Sequence, residues 1–542
     1  MGTSFELSAN LVDIHAEQIV PVWLRVEQGK IVEMRSIAEA KGYVLPGFID
    51  AHVHIESSML TPSEFARVAS VHGTVATISD PHEIANVCGV AGVEFMLQDA
   101  AKTPFKFHFG APSCVPATDF ETAGAKLGVA EIEQMLDDPR INHLSEMMNF
   151  PAVIARQPDV MAKLEAAKCR SLPIDGHAPG VRGEEFDRYV AAGISTDHEC
   201  VTLEEAEEKI LAGCKIAIRE GSAARNFDAL WPLIDKYPDQ CMFCSDDKHP
   251  DELMLGHINR LAVRALQHGC GLFSVLRATS INAINHYGLN VGKLTVGDPA
   301  DFVVVDDLSS LNVRETYIGG HLVAKDKQPL LSSDRCLPIN QFESQPLTSD
   351  SIKVKAISNR IRVIQVIDGQ LLTSARSHKV TGCDEHIASD LDQDILKLVV
   401  VNRYRRTKPS VAFVKGFGLS KGALASSIAH DSHNIVAVGV SDEDLLAAMN
   451  SVINCRGGLA FAADGHVEML PLPVAGLMSD MSCEEVAQRY TELDHAAKSL
   501  GCQLRAPYMT LSFLSLPVIP SLKLTDRGLF DVDRFDFVPL FI

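Results

Sequence analysis

Short β-branched runs alternate with helical patterns along the first half of the chain, from about residue 44 to residue 280. This alternation is typical of parallel strands joined by helical crossovers. Eight runs qualify as strands, namely 44–54, 74–79, 106–110, 141–146, 172–177, 193–198, 215–219 and 242–246. Eight β/α units of this combined length predict a (β/α)8 TIM-like barrel, which we expect over residues 46–285.

The segments on both sides of the barrel have a different pattern. Residues 10–43 and 290–330 contain short alternating strands separated by glycine and aspartate turns. We expect one flanking β-sandwich, built from residues 1–45 and 286–340 together. A stretch rich in proline, serine and aspartate follows, and residues 345–542 then predict a C-terminal αβ domain. The predicted fold class is therefore α/β.

Composition and charge limit the class of protein. Of the 542 residues, 46% are hydrophobic and 22% are charged, which favours a globular protein with a large core. Lysine and arginine total 49 and aspartate and glutamate total 70, so the net charge is 49 − 70 = −21. Such a surface repels nucleic-acid backbones and anionic lipids, and we expect neither nucleic acid nor a membrane as partner. No apolar run approaches the roughly 18 residues of a membrane span.

The thirteen cysteines are scattered without a repeating spacing, and no positively charged, apolar leader precedes them. We therefore expect reduced thiols and a cytoplasmic location. Cys241 and Cys244 have the spacing of a metal site, and His466 and Glu468 have the His-x-Glu spacing of zinc-dependent base deaminases. In that class the His-x-Glu pair precedes the cysteines, whereas here it follows them by a long stretch. The order excludes that class and favours a core position for both cysteines.

Metal-binding side chains end several of the predicted strands, at the edge where barrels of this kind place their chemistry. His52 and His54 end strand 1, and because side chains two residues apart lie on the same side of a strand, both imidazoles can bind one metal ion. His177 ends strand 5, His198 ends strand 6, and Asp246 ends strand 8. Each could singly be a structural capping residue, but their occurrence in barrel order predicts a shared metal site.

Several longer motifs resemble the amidohydrolase superfamily and, more narrowly, the bacterial adenine deaminase family. They are residues 46–58, 79–89, 146–151, 175–179 and 244–248, with further likeness at 416–419 and 430–435. The resemblance covers nearly the whole chain. It implies a barrel that holds one or two divalent metals, and it implies hydrolytic deamination of adenine to hypoxanthine and ammonia in purine salvage.

Strand 4 distinguishes the subtypes of that superfamily. Hydantoinase-like and urease-like members bridge two metals there with a carboxylated lysine, whereas this chain has Glu146. The resemblance assigns a bridging role to this glutamate, and a solvated or salt-bridged carboxylate is the alternative. We predict a binuclear divalent site with Mn²⁺ or Fe²⁺, and Zn²⁺ suits the same ligands. The predicted ligands are His52, His54, Glu146, His177, His198 and Asp246.

Two carboxylates are predicted to transfer protons. Asp246 would accept a proton from the attacking water, and Glu83 would protonate a ring nitrogen or the leaving amine. Glu83 and its neighbour His82 are also candidate substrate contacts, although both could equally cap the following helix. Further substrate candidates are Ser58, Arg219 and Ser222, and for Arg219 a salt bridge is as plausible as a substrate contact.

The C-terminal half offers a second group of candidate ligands. His430 and His433 could form an accessory metal site, and a polar turn at an interface is the alternative. This half would either cover the active site or build a subunit interface. From the resemblance we expect a dimer or tetramer.

Two other functions remain open from the sequence. A different amidohydrolase could act on another cyclic amidine or amide, since one barrel site serves many substrates. A catalytically silent barrel could serve as an assembly scaffold, but every expected ligand position is filled. The expected partner is the small-molecule substrate adenine.

Overall fold

The computed structural model describes residues 4–333, 335–380 and 385–542. The chain begins with four strands ahead of the barrel. They are β1 (Ser4–Asp13), β2 (Gln18–Glu27), β3 (Lys30–Ser36) and β4 (Tyr43–Pro46). The first three pair antiparallel as consecutive hairpins, and β4 runs parallel to β1.

All eight predicted barrel strands are present and run parallel. They are β5 (Phe48–Val53), β6 (Thr74–Ser79), β7 (Lys106–Ala111), β8 (Ile141–Met147), β9 (Ile174–Gly176), β10 (Thr196–Asp197), β11 (Lys215–Arg219) and β12 (Cys241–Cys244). Between β9 and β10, Ser195 N donates to Ile174 O at 3.0 Å. Beyond β12, Asp246 N donates to His52 O of β5 at 2.9 Å. The sheet therefore closes on itself, which confirms the predicted barrel.

Helices connect the barrel strands. They are α1 (Pro62–Val71), α2 (His82–Cys88), α3 (Val90–Ala100), α4 (Val129–Leu136), α5 (Phe150–Ile154), α6 (Pro158–Cys169), α7 (Gly183–Ala191), α8 (Leu203–Leu211), α9 (Phe227–Leu230), α10 (Leu233–Lys236), α11 (Pro250–Leu255), α12 (Ile258–Gln267), α13 (Leu272–Leu276) and α14 (Asn282–Tyr287). Local capping explains several starts. Thr202 Oγ1, for example, accepts a hydrogen bond from Glu205 N at 3.2 Å and so satisfies a free amide at the start of α8.

The chain then returns to the sheet that it began. The returning strands are β13 (Phe302–Val305), β14 (Val313–Ile318), β15 (His321–Lys325) and β16 (Gln328–Pro329). Antiparallel pairing of β13 with β4 joins both flanks in one eight-stranded sheet. This sheet has a core of its own, to which Leu24, Val44 and Phe302 belong. The prediction that the two flanks come together is confirmed, and β4 is the strand that links them.

The C-terminal half contains a second eight-stranded sheet and a small three-stranded one. Their strands are β17 (Arg360–Val366), β18 (Thr373–Lys379), β19 (Ile395–Val401), β20 (Ser410–Lys415), β21 (Ala423–Ser426), β22 (Ile435–Gly439), β23 (Gly458–Ala463), β24 (His466–Pro471), β25 (Leu522–Thr525), β26 (Gly528–Asp531) and β27 (Asp536–Phe537). The helices are α15 (Asp442–Asn454), α16 (Cys483–Ser499) and α17 (Pro507–Ser512).

The larger C-terminal sheet is buried on both faces. Leu398 and Val400 of β19 belong to the core cluster that includes the barrel interior. Val399 and Val401 alternate with them and belong to a separate cluster with Leu445 of α15. Period-2 alternation thus divides one apolar strand between two cores, and one core runs on from the barrel into the C-terminal half.

Two observations complete the fold. Cys241 and Cys244 are fully buried in β12, as predicted, and the cysteines in the described part of the chain are free thiols. Within the same described ranges, the structure contains no helix with the length and apolar character needed to cross a membrane.

Candidate active site

The first site residues lie where β5 meets the end of β12. The Nε2 atoms of His52 and His54 are 3.2 Å apart. Asp246 places Oδ1 at 3.3 Å from Nε2 of His54 and 3.7 Å from Nε2 of His52. All three residues are buried. The His-x-His spacing therefore directs both imidazoles to one point, as the strand alternation predicts.

Glu146, near the end of β8, lies among the histidines. Its Oε1 is 3.5 Å from Nε2 of His54. Its Oε2 is 3.2 Å from Nε2 of His198 and 2.8 Å from Nδ1 of His177. The two carboxylate oxygens thus face different histidines, and this arrangement suits a carboxylate that bridges two cations. The structure brings all six predicted ligands together at the carboxyl end of the barrel.

Asp80 and His82, after β6, join this group. Nδ1 of His82 is 3.2 Å from Oδ2 of Asp80 and 3.6 Å from Oε1 of Glu146. Neither Asp80 Oδ2 nor His82 Nδ1 makes a well-aligned hydrogen bond within the described residues, although both atoms are buried. From the sequence, His82 is predicted as a substrate contact, and Asp80 has no predicted role. The Asp-x-His spacing directly after a strand, which repeats the geometry of His-x-His, is the signal that could have found this pair.

The donor atoms fit a divalent metal. Ligand atoms of His54, Asp80, His82 and Glu146 all lie within 4.8 Å of one another, and those of His52, His54 and Asp246 form a second such group. Imidazole nitrogens and carboxylate oxygens together suit Fe²⁺, Mn²⁺ or Zn²⁺. Buried polar atoms without hydrogen bonds are costly in free energy, and a cation would satisfy them.

Electrostatics keeps the carboxylates of the cluster anionic. Burial alone would raise the pKa of Asp246, but the guanidinium of Arg219 holds that pKa well below its usual range. Burial likewise opposes ionisation of Glu146, and His177 holds its pKa well below the usual range. Burial and the neighbouring His198 lower the pKa of the His52 imidazole. Burial opposes protonation of His54 and His177, but a hydrogen bond to Asp246 raises the pKa of His54 well above its usual range, and Glu199 and Glu146 raise that of His177 to about 9. The carboxylates are thus in the state that binds a cation, whereas a cation would have to displace protons from these imidazoles.

Arg219, a predicted substrate contact, lies in the cavity wall as part of a buried ion-pair network. Its Nη2 donates to Oε2 of Glu199 at 2.8 Å, and its Nη1 contacts both Glu199 and Asp246. The salt bridge that the sequence left open is therefore present. Glu199, which follows His198 directly, was missed, because a single carboxylate after a strand carries no spacing signal.

Glu83 connects the barrel to the C-terminal half. Helix α2 begins at His82, but the Glu83 carboxylate does not cap it. One oxygen of Glu83 contacts Nδ1 of His430 and the other contacts Nε2 of His433. Burial would raise the pKa of Glu83, but His430 and then His433 hold it well below its usual range. The two histidines predicted as an accessory site thus belong to the mouth of the barrel.

The segment that carries these histidines is supported from the C-terminal side. Arg403 Nη1 donates to His433 O at 3.0 Å, and Tyr404 OH donates to Ser432 O at 2.6 Å. Asn434 Nδ2 donates to Thr122 O of the barrel at 2.9 Å. These bonds fix the backbone, and the backbone in turn fixes the imidazoles.

A cavity lies between the barrel mouth and the C-terminal half. Its polar lining includes His54, Glu83, Glu146 and Asp246. Two predicted substrate contacts lie outside this lining. Ser58 Oγ donates to the backbone oxygen of Ile55 at 2.6 Å. Ser222 Oγ donates to Oε2 of Glu252 at 3.0 Å. Both hydroxyls therefore bond within the protein: that of Ser58 bonds to its own turn, and that of Ser222 bonds to a side chain of α11.

Comparison with known proteins defines the class. The model of the amidohydrolase family matches residues 43–323, more than half of the chain, and the chain belongs to this family. The crystal structure of a β-aspartyl dipeptidase from Fervidobacterium islandicum has a TM-score of 0.47 and 13% identity, covering 61% of this chain and 98% of that one.

The C-terminal half and close relatives define the family more narrowly. The model of the adenine deaminase C-terminal domain matches residues 370–536. An adenine deaminase from Salinibacter ruber is 54% identical, with 100% of each chain covered. One from a Sulfurovum species is 52% identical and covers 98% of this chain and 99% of that protein. Within the amidohydrolases, the chain is a member of the adenine deaminase family.

Proposed function

We propose that this protein hydrolyses adenine to hypoxanthine and ammonia. The observation that carries the proposal is the single cavity in which the histidine and carboxylate cluster of the barrel faces Glu83, His430 and an apolar surface from the C-terminal half. Full-length similarity to proteins named adenine deaminase supports the same reaction. A buried, partly apolar cavity with a few polar groups suits a small flat heterocycle.

The cluster would hold two divalent cations, Mn²⁺ or Fe²⁺, with Zn²⁺ also compatible. When bound, such cations supply Lewis acidity, which makes a water molecule nucleophilic near neutral pH. Glu146 would be shared between the two cations because its oxygens face different histidines. The residues that would hold the cations are the six predicted ligands together with Asp80 and His82.

Asp246 would act as the proton acceptor. Its carboxylate is kept anionic by Arg219, so it can take a proton when water adds to C6, the ring carbon that bears the amino group. The C6–N bond then breaks, and the nitrogen departs as ammonia with the proton that Asp246 returns. The hydroxyl proton left on C6 returns to the Glu83 and His430 pair, in place of the proton which that pair gives to the ring. Oxygen then remains on C6 as a carbonyl, and the product is hypoxanthine.

Glu83 and His430 would supply the proton for the ring nitrogen. Burial would lower the pKa of His430, but the adjoining Glu83 raises it to about 9, so the pair carries a proton at neutral pH. Either partner could pass this proton to the ring and so make C6 more electrophilic. Arg219 would orient the Asp246 carboxylate through the ion pair between them.

The direct test is ammonia release and the ultraviolet change when adenine is added to protein loaded with Mn²⁺ or Fe²⁺. Chelated protein is the metal control, and adenosine is the substrate control. We expect metal-dependent turnover of adenine and none of adenosine. Failure to turn over adenine with two equivalents of metal bound would reject adenine as the substrate and would favour another cyclic amidine or amide.

Two further parts of the proposal concern the cellular form. The cytoplasmic location and the dimer or tetramer expected from the sequence stay predictions. Light scattering on the purified chain measures the oligomeric state, and cell fractionation measures the location. A monomer would contradict the expected assembly.

A further inference from the structure

The cavity over the candidate site has two unlike sides. The barrel and the segment with His430 supply its polar groups. The C-terminal half supplies apolar side chains, which we call the apolar roof: Leu371, Phe513, Leu516, Val518 and Ile519. Phe513 and Leu516 belong with Met509 to a small buried cluster, and the other three roof residues pack against it. The roof is thus a packed unit.

Purine geometry relates this roof to substrate choice, on the basis of the function proposed above. The bond from C6 to its amino group and the bond from N9 to its substituent point in nearly opposite directions. If the amino group faces the histidine and carboxylate cluster, a substituent on N9 points away from that cluster, and the roof is the apolar part of the remaining cavity wall. A hydrogen on N9 needs almost no space. A methyl group or a sugar at N9 needs space that the roof side chains occupy.

A buried lysine holds the roof. Lys523, in β25, is 0% exposed, and its Nζ donates to Leu371 O and to Phe513 O, each at 2.9 Å. These two carbonyls belong to roof segments that are distant in sequence. The Phe513 ring also stacks on the His430 imidazole, with centroids 4.4 Å apart and an interplanar angle of 13°. The Lys523 side chain therefore links both roof segments. Through Phe513, which contacts His430, it is connected to the mouth of the barrel.

The position of this lysine is costly unless its hydrogen bonds are needed. Burial lowers the pKa of Lys523 to about 7, and in the described part of the chain no carboxylate forms an ion pair with it. A buried amine without a counter-charge is unfavourable, whereas an apolar side chain there would leave two carbonyls without donors. The two bonds to the roof account for a lysine at this place.

We propose that Lys523 is a positioning residue that holds the apolar roof, and that the roof selects the free purine base against purines substituted at N9.

The positioning role of Lys523 is tested with Lys523→Met, which keeps the length of the side chain and removes its hydrogen-bond donors. We expect backbone amides of residues 513–519 to exchange hydrogen about tenfold faster, because two hydrogen bonds are lost. We also expect KM for adenine to rise by a similar factor, while kcat and metal content stay close to those of the unmodified protein. Unchanged exchange and unchanged KM would overturn the positioning role.

Lys215→Met is the matched control. Lys215 Nζ also donates to a backbone oxygen, that of Asp239 at 2.7 Å, but it lies at the opposite end of β11 from the cavity. We expect this variant to keep the roof exchange rates and the KM for adenine. An equal rise of KM in both variants would show a general loss of stability and would overturn a specific role for Lys523.

Selection by the roof is tested with Val518→Ala and Ile519→Ala and with 9-methyladenine as the probe. Removing methyl groups from an apolar wall changes discrimination by roughly 10-fold or more. We expect the ratio of kcat/KM for 9-methyladenine to kcat/KM for adenine to rise at least tenfold in one of the two variants. No rise in either folded variant would overturn the selection role. If the unmodified protein fails to turn over adenine, the proposed function fails, and the hydrogen-exchange comparison still decides whether Lys523 holds the roof.

Discussion

Glu146 lies between the histidines of the candidate metal centre. Its carboxylate oxygens are 3.5 Å from Nε2 of His54 and 3.2 Å from Nε2 of His198, so the two oxygens face different histidines of the cluster. An amide keeps the shape but loses the negative charge and one acceptor oxygen. Loss of this carboxylate should therefore weaken metal binding and lower catalytic activity together.

We expect Glu146→Gln to lose bound metal and at least about 100-fold in kcat/KM, because the shared ligand is gone. Metal analysis and ammonia release measure the two effects. Glu94→Gln, which changes a surface carboxylate paired with Arg140, is the control and should retain both. A Glu146 variant with full metal and full activity would remove this residue from the site.

Asp80 gives a second prediction at the residue scale. It belongs to the group of donors with His82 but not to the group with His52 and Asp246. We therefore expect Asp80→Asn to lose about one of two metal equivalents while the other remains, because hard carboxylate oxygen is replaced by a weaker neutral donor. Metal stoichiometry by elemental analysis decides this, with unchanged stoichiometry counting against a ligand role for Asp80.

At the scale of elements, strand ends rather than strand interiors place the site. The sequence predicted strands 172–177 and 193–198, and the structure shows the shorter β9 and β10. Asp197 explains where β10 ends, because its side chain accepts hydrogen bonds from Glu199 N at 2.7 Å and Ala178 N at 3.0 Å. These two backbone amides therefore bond to a side chain and not to a neighbouring strand. His177 and His198 therefore follow the strands and lie free to face the cavity.

Helix α16 gives a prediction for the stability of an element. Ser482 Oγ and the Glu485 carboxylate form a reciprocal capping box at its start. We expect Ser482→Ala to lower the free energy of unfolding by about 1 kcal/mol. Urea denaturation measures this, and Ser499→Ala at the exposed end of the same helix is the matched control. Equal effects of both substitutions would contradict the capping role.

At the scale of the whole molecule, the barrel and the C-terminal half share one core and one cavity. Leu398 and Val400 of β19 belong to the same core cluster as Phe48 and Ile49 of β5. His430 and His433 complete the barrel mouth by contacting Glu83. The C-terminal half therefore covers the site, which is one of the two roles that the sequence left open.

The shared core predicts a single unfolding transition. We expect calorimetry of the full chain to show one cooperative peak, because one core cluster extends from the barrel into the C-terminal half. Leu398→Ala should lower the free energy of unfolding by about 2–5 kcal/mol and shift that whole peak. Leu337→Ala is the control because Leu337 is 91% exposed. Two separate peaks, of which only one moves in Leu398→Ala, would contradict a common core.

The sequence determined the barrel and most of its ligand cluster. Period-2 alternation fixes which side of β5 carries His52 and His54, and the parallel β/α rhythm brings the ends of β8 and β12 to the same edge. These are local rules of backbone geometry, so they can be applied before any tertiary contact is known. Asp246 is predicted as a ligand in this way, and the family resemblance adds Glu146.

Only the tertiary structure decided what meets the barrel mouth. The contact of Glu83 with His430 joins positions 347 apart in sequence, and the bond from Lys523 to Leu371 joins positions 152 apart. No periodicity relates such positions, because the packing of a shared core sets their distance. The same packing places His430 and His433 at the mouth of the barrel and not at a separate accessory site. It also leaves the hydroxyls of Ser58 and Ser222 bonded to neighbouring groups of the protein.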